Sequence, residues 1–189
     1  MNKRLMLASL AAVLVIAAGC TTTHGTGTGD PAARRNAIDA GIDSSLSMLF
    51  EQVPGSKELV DRAAGVLVFP NVMEASFVVG ASRGDGALRV GGRTVSYHAT
   101  TSGSFGFQAG ARSTAVIMLF MTPDALQRFR NSNGWTVGAD ASVTLINAGA
   151  TAQINTATAQ QPVIGYVLTN RGLMAGVSLD GARITQLNL

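Results

Sequence analysis

From Gly65 to the C-terminus the chain is made of short apolar runs broken by glycine, proline and asparagine, a texture that commits most of it to a sheet. Gly65 to Pro70 reads as a short, fully apolar strand. Ala75 to Ala81 and Ala87 to Val90 flank Gly84-Asp85-Gly86, whose composition predicts the turn of a hairpin. Arg93 to Thr100, Ser104 to Gly110 and Ser113 to Met121 give three more strands, and beyond Gly134 the spans 135–147, 163–169, 173–179 and 183–187 are strand-like. A faint echo, FVVGAS, FQAGAR, WTVGAD and LMAGVS, centres a glycine on Gly80, Gly110, Gly138 and Gly176. Its spacings of 30, 28 and 38 residues are too uneven for a solenoid. Glycine inside strands marks bends and close backbone approach, so the sheet is expected to curve or close on itself.

Helices precede the sheet. Asp30 reads as an N-cap with Pro31 at the first helical position, and Ile38, Ile42, Leu46, Leu49 and Val53 recur at three- and four-residue steps along one apolar stripe. Pro54-Gly55 ends that helix, Ser56 is expected to cap a second short one through Leu59 and Ala63, and Gly65 to close it. Thr122-Pro123-Asp124 repeats the cap-then-proline signal ahead of a third helix over 125–131. The expected class is α+β: a mainly antiparallel, barrel-like sheet with two N-terminal helices and one short inserted helix.

Ahead of this domain, MNKRLMLASLAAVLVIAAGC has the build of a lipoprotein export signal. Lys3 and Arg4 supply the positive end, Leu5 to Ile16 an uncharged apolar run too short for a span of about 20 residues, and Ala17-Ala18-Gly19 the small residues beside the cut. Ala17 stands where leucine is commoner. Cleavage would leave Cys20, the chain's single cysteine, as an acylated N-terminus. One acyl chain holds a protein only marginally, whereas several hold it firmly. Residues 20–30 then read as a small, glycine-rich tether, and 31–189 as the folded domain. Thr21 in place of an aspartate points to the outer membrane of a Gram-negative envelope, facing the periplasm. Cleavage also removes Lys3 and Arg4, so 12 basic residues stand against 11 acidic ones and the near-neutral remainder shows no clustered basic face for nucleic acid. With Cys20 used as the anchor, no disulfide is available and stability must come from packing.

Chemistry-bearing residues are sparse. His24 lies in the tether, and His98 alternates with Tyr97 in a strand without a local acid or nucleophile, so neither a general base nor a metal site is indicated. No cofactor is implied. Gly103, Gly106 and Gly110 lack the strand-to-helix context and the Lys-Ser/Thr of a phosphate loop. Arg83-Gly84-Asp85 spells an integrin tripeptide from ordinary turn residues. Asp140 and Asn147 interrupt apolar strands, either as hydrogen-bonded structure or as the polar end of a head-group pocket.

Four blocks resemble the SYLF domain family: AGVLVFPNV at 64–72, YHATTSGSFGFQAGARS at 97–113, GWTVGADASVTLINAGA at 134–150 and PVIGYVLTNRGLMAGVSLDGARIT at 162–185. They stand in the right order and cover the chain from about Arg34 onward. The resemblance implies a phospholipid-binding module without catalytic activity. Eukaryotic members bind phosphoinositides, partly through an N-terminal amphipathic helix, and some bind actin and endocytic proteins; bacterial relatives are lipoproteins described as lipid-binding. On that basis Arg34, Arg35, Lys57 and Arg62 are the cations available near the N-terminal helix, and Arg83, Arg89 and Arg93 form a second set around the expected hairpin. Each has a plainer reading. Arg35, Asp39 and Asp43 give the helix a mixed polar face, with mainly Phe50 as a bulky aromatic, and arginines on a hairpin guard strand edges. The expected partners are membrane phospholipids, anionic ones among them. The alternative is an envelope interaction protein that binds a protein partner and touches lipid only through its acyl anchor.

Overall fold

The computed structural model of the chain describes residues 30–76, 79–105, 110–146, 160–170, 172–174 and 177–189. The export signal, Cys20, His24 and Asn147 lie outside the described residues.

Helix α1 (Pro31–Gln52) buries Ile38, Ile42, Ser45 and Leu49 along one side, at the spacing that a single helical face requires. Leu46 is half-buried and Val53 is buried just past the helix end. Gly55 then takes a left-handed φ of 81° and itself occupies the N-cap position of α2 (Ser56–Arg62). Ser56 is therefore not the cap expected from the sequence. It is fully buried, and its hydroxyl donates to the Leu49 carbonyl at 3.2 Å, a second bond to an oxygen that already accepts from the Val53 N–H at 2.9 Å. Nor does Gly65 close α2. Ala63 does so, with its N–H on the Leu59 and Val60 carbonyls, and Gly65 begins the first strand where a Cβ would lie 2.7 Å from Leu126 Cδ1.

Four long strands follow: β1 (Gly65–Ser76), β2 (Val79–Val90), β3 (Arg93–Phe105) and β4 (Gly110–Phe120). The hairpin expected at Gly84-Asp85-Gly86 is elsewhere. These three residues lie inside β2, and the chain reverses at Gly91-Gly92, whose φ values of 56° and 76° suit a two-residue turn between Val90 and Arg93. The glycines answer a different demand. β1 carries a bulge between Val68 and Asn71, which absorbs Pro70 in the strand and presses β1 against β2. A Cβ on Gly86 would run into the Val68 carbonyl, and one on Gly84 would lie 2.8 Å from Val72 Cγ2. The separate strand expected over 104–110 is likewise not found: β3 continues to Phe105, and residues 106–109 lie outside the described set.

Helix α3 (Pro123–Asn131) starts as the sequence predicts, with Thr122 Oγ1 accepting from the Ala125 N–H at 3.2 Å. Thr122→Ala is expected to cost about 1 kcal/mol in urea unfolding, the usual worth of such a cap. Then come β5 (Trp135–Thr136), β6 (Thr144–Ile146), β7 (Val163–Thr169), β8 (Gly172–Leu173) and β9 (Arg183–Leu187). A continuous strand over 135–147 does not form. Gly138 has φ 87° and the Asp140 carboxylate turns back to accept the Thr136 N–H, which folds the segment into a tight turn. The strand expected over 173–179 shrinks to β8 among the described residues.

The strands form one curled sheet, a half-barrel in the order β5-β9-β3-β2-β1-β4-β7-β6, with β8 beside β7. Every pairing between these strands is antiparallel except β6 with β7. The α+β class, the mainly antiparallel curled sheet, the two N-terminal helices and the inserted helix are as expected. Two cores share the sheet as a common wall. Val66, Val68, Ile117, Leu119, Ile164 and Tyr166 pack under α1 and α2, while Leu67, Phe69, Val116, Met118, Phe120 and Val167 face α3 and Trp135. Burial on both faces explains why β1, β4 and β7 read as unbroken apolar runs rather than alternating ones.

Candidate functional site

The seven cations singled out from the sequence separate into three kinds of environment. Arg34 reaches across from α1 to β2, its Nε and a terminal N–H donating to Asp85 Oδ2 at 3.1 and 2.6 Å. Arg89 on β2 donates to Asp43 Oδ1 at 2.6 Å and to the Asp39 carbonyl at 3.2 Å. Asp39 in turn accepts from Thr94 Oγ1 at 2.7 Å and from the Tyr97 hydroxyl at 2.9 Å. Burial, and secondly this bond to a carboxylate, raise the Tyr97 pKa. These contacts fasten α1 along β2 and β3. Lys57 pairs with Asp61 one turn further along α2 at 2.7 Å, on the exposed side of the helix. Arg35, Arg62, Arg83 and Arg93 make no ion pair among the described residues.

Those four do not form one patch. Arg83 lies opposite Thr101, and Arg93 is eight residues away along β3, about 27 Å at the usual strand rise. The apolar stripe of α1 faces inward, and Gly41 comes so close to the β1 bulge that a Cβ would lie 2.9 Å from Pro70. What α1 shows to solvent is its polar side.

Neither His98 nor Tyr166 is placed for proton transfer. His98 is buried, with Nε2 2.8 Å from the Ser96 hydroxyl and its ring centroid 5.0 Å from that of Phe129, and burial lowers its pKa to about 4. Among the described residues no carboxylate orients it. Burial pushes the Tyr166 hydroxyl up to about 12. Among the described residues no group of three His, Cys, Asp or Glu side chains is placed to hold a metal. Asp140, one of the two polar residues expected at a head-group pocket, is exposed and committed to its turn.

The concave face of the half-barrel holds a cavity of about 290 Å³ instead. Strands β1, β4 and β7 make its floor with Val72, Val116, Met118 and Val167, and the segment that follows β8 roofs it with Met174, Val177 and Leu179. Toward the open ends of the strands the same face turns polar. Ser82 and Ser102 hydroxyls meet at 2.7 Å across β2 and β3, and Arg112 on β4 donates to Glu74 on β1 at 2.7 Å. Thr100, Thr114, Ser178 and Asp180 complete this belt. A few convergent polar groups over an apolar floor is the common build of a small-molecule site, and the volume lies near the lower end of the usual range of about 300–1,000 Å³. A second hollow of about 350 Å³ beside α1, lined by Ser44, Ser45, Asn71 and Asn170 among others, has no charged side chain in its lining.

The sequence contains a faint signal for the cavity. On β3, Thr100 and Ser102 occupy alternate positions, and on β4, Arg112 and Thr114 precede Val116 and Met118 on the same face. Hydroxyls at every second residue, giving way to apolar side chains, mark a face that passes from polar rim to apolar floor.

Residues 101–188 match the Ysc84 family, described as Las17-binding protein actin regulator, which is the SYLF domain. No curated protein matches the chain. The matched segment runs from the second half of β3 through β9 and supplies most of the cavity lining.

Proposed function

We propose that the chain, whose residues 101–188 match the SYLF family of binding domains, is a lipoprotein of the cell envelope whose domain binds phospholipid. The observation that carries this reading is the cavity: an apolar floor beneath a polar belt matches a molecule with an apolar and a polar end. Attachment would come from acylated Cys20 and the tether after it, which places the domain in the periplasm, held to the outer membrane. Among the described residues no helix is long and apolar enough to cross a membrane.

The test is sedimentation of the processed chain, residues 20–189 carrying Cys20→Ala, with vesicles of mixed zwitterionic and anionic phospholipid. The chain should pellet with them although its anchor is gone. Failure to pellet at low salt with any envelope lipid would sink the reading. The family is described by a protein partner, Las17, which favours a second reading in which an envelope protein docks on the domain and the anchor is its one lipid contact. Capture of a single envelope protein by crosslinking, together with no lipid pelleting, would decide for it.

A further inference from the structure

The polar belt of the cavity has hydrogen-bonding capacity to spare. Thr100 is only 6% exposed, yet its hydroxyl makes no hydrogen bond among the described residues, and neither does that of Thr114. In the Ser82–Ser102 pair one hydroxyl donates to the other, which leaves one O–H free. Thr100 and Thr114 thus present unused hydroxyls to the open space of the cavity, where a ligand can take them up.

Charge narrows the choice of ligand. Arg112 is the one base in the lining, and Glu74 and Asp180 are its two acids. A purely anionic head would meet one base and two carboxylates. A head carrying both a phosphate and a primary ammonium can place the phosphate on Arg112 and the ammonium against the acids, each by charge-assisted hydrogen bonds. Size narrows it again. At roughly 30 Å³ for each methylene or water-sized group, about 290 Å³ is filled by about ten such groups, which suits part of one acyl chain with its head at the open polar belt and leaves no room for a second chain beside it.

We infer that the cavity binds a single-chain zwitterionic phospholipid of the lysophosphatidylethanolamine class. Its acyl chain lies on Val116, Met118 and Val167, its glycerol hydroxyl bonds within the belt of Thr100, Thr114 and the serine pair, and its phosphate displaces Glu74 from Arg112. This assignment rests on the phospholipid reading above and narrows it to one chain and one kind of head.

The test is displacement of a fluorescent lysophospholipid, below its micellar concentration, from the processed chain, residues 20–189 carrying Cys20→Ala. Lysophosphatidylethanolamine should displace it at about tenfold lower concentration than lysophosphatidylglycerol of equal chain length, and free phosphoethanolamine should not displace it. Thr100→Val keeps the side chain's shape and removes only an unpaired hydroxyl. It should weaken binding about three- to tenfold without lowering thermal stability. Arg112→Gln should weaken it about tenfold, and Glu74→Gln should narrow the preference over the anionic lipid. Equal displacement by the two lipids, displacement by the free head alone, or unchanged affinity in both Thr100→Val and Met174→Trp would overturn the assignment. If the chain still pellets with vesicles while displacement fails, the cavity assignment falls and the phospholipid reading stands. If it neither pellets nor shows displacement, both fall.

Discussion

Acidification from pH 7 to pH 4 is expected to remove roughly 3 kcal/mol of folding stability through His98 alone. Its imidazole titrates at 6.5 when unfolded and at about 4 when buried, so between those values the unfolded chain takes up a proton that the folded chain refuses. Stability is therefore fully present above pH 6.5, falls as the pH drops, and levels off below about 4. The shift corresponds to roughly 3 kcal/mol at 1.36 kcal/mol per unit. Urea unfolding at half-unit steps of pH should show the decline in the native protein and a flattened profile in His98→Gln. An equal slope in the two between pH 6.5 and 5 would mean that His98 is not the group responsible. The cause is local: the ring lies against Phe129, within an aromatic cluster that continues to Phe120 and Trp135, with the Ser96 hydroxyl at Nε2. Nothing there compensates a positive charge.

Gly86→Ala is expected to destabilise the fold by about 3 kcal/mol, the upper end of overpacking costs. Elsewhere in a strand interior the same change would be mildly favourable, because alanine loses less conformational freedom than glycine on folding. Here the new methyl group meets the Val68 carbonyl and the Phe69 ring, at the point where the β1 bulge is pressed against β2. Backbone cannot rotate away as a flexible side chain would. A rise in the denaturation midpoint on this substitution would refute the close approach. Gly103→Ala on the neighbouring strand is the control, because a Cβ there meets nothing within 4 Å.

Gly86 also shows where sequence reasoning reaches its limit. Asp85-Gly86 has the composition of a tight turn, but a glycine that yields room to another strand looks the same as one that turns the chain. The difference lies in Val68 and Pro70, 16 and more residues away. Features set by neighbours in sequence were legible: the α1 stripe at Ile38, Ile42 and Leu49, the Thr122 cap, and the apolar runs of β1, β4 and β7. Ser56 was misread because its hydroxyl serves the helix before it rather than the one it begins. The cavity depends on register across five strands, which aligns Ser82 with Ser102 and places Glu74 beside Arg112, so no local pattern could assemble it. Of the cations, the pairing of Arg34 with Asp85 and of Arg89 with Asp39 and Asp43 joins residues about fifty positions apart in the chain.

The place of β9 in the sheet sets the timing of folding. The last strand in the chain lies between β3 and β5, two elements made long before it. Until β9 is available, β3 presents a row of unpaired amides and carbonyls along one side, and Trp135 lacks the Ile184 strand against which it is held. An emerging chain can form the β1–β2–β3 meander early, since its contacts are local, but it cannot seal that edge. The interval between the two is when self-association is most dangerous, and it grows with any delay in delivering the final segment.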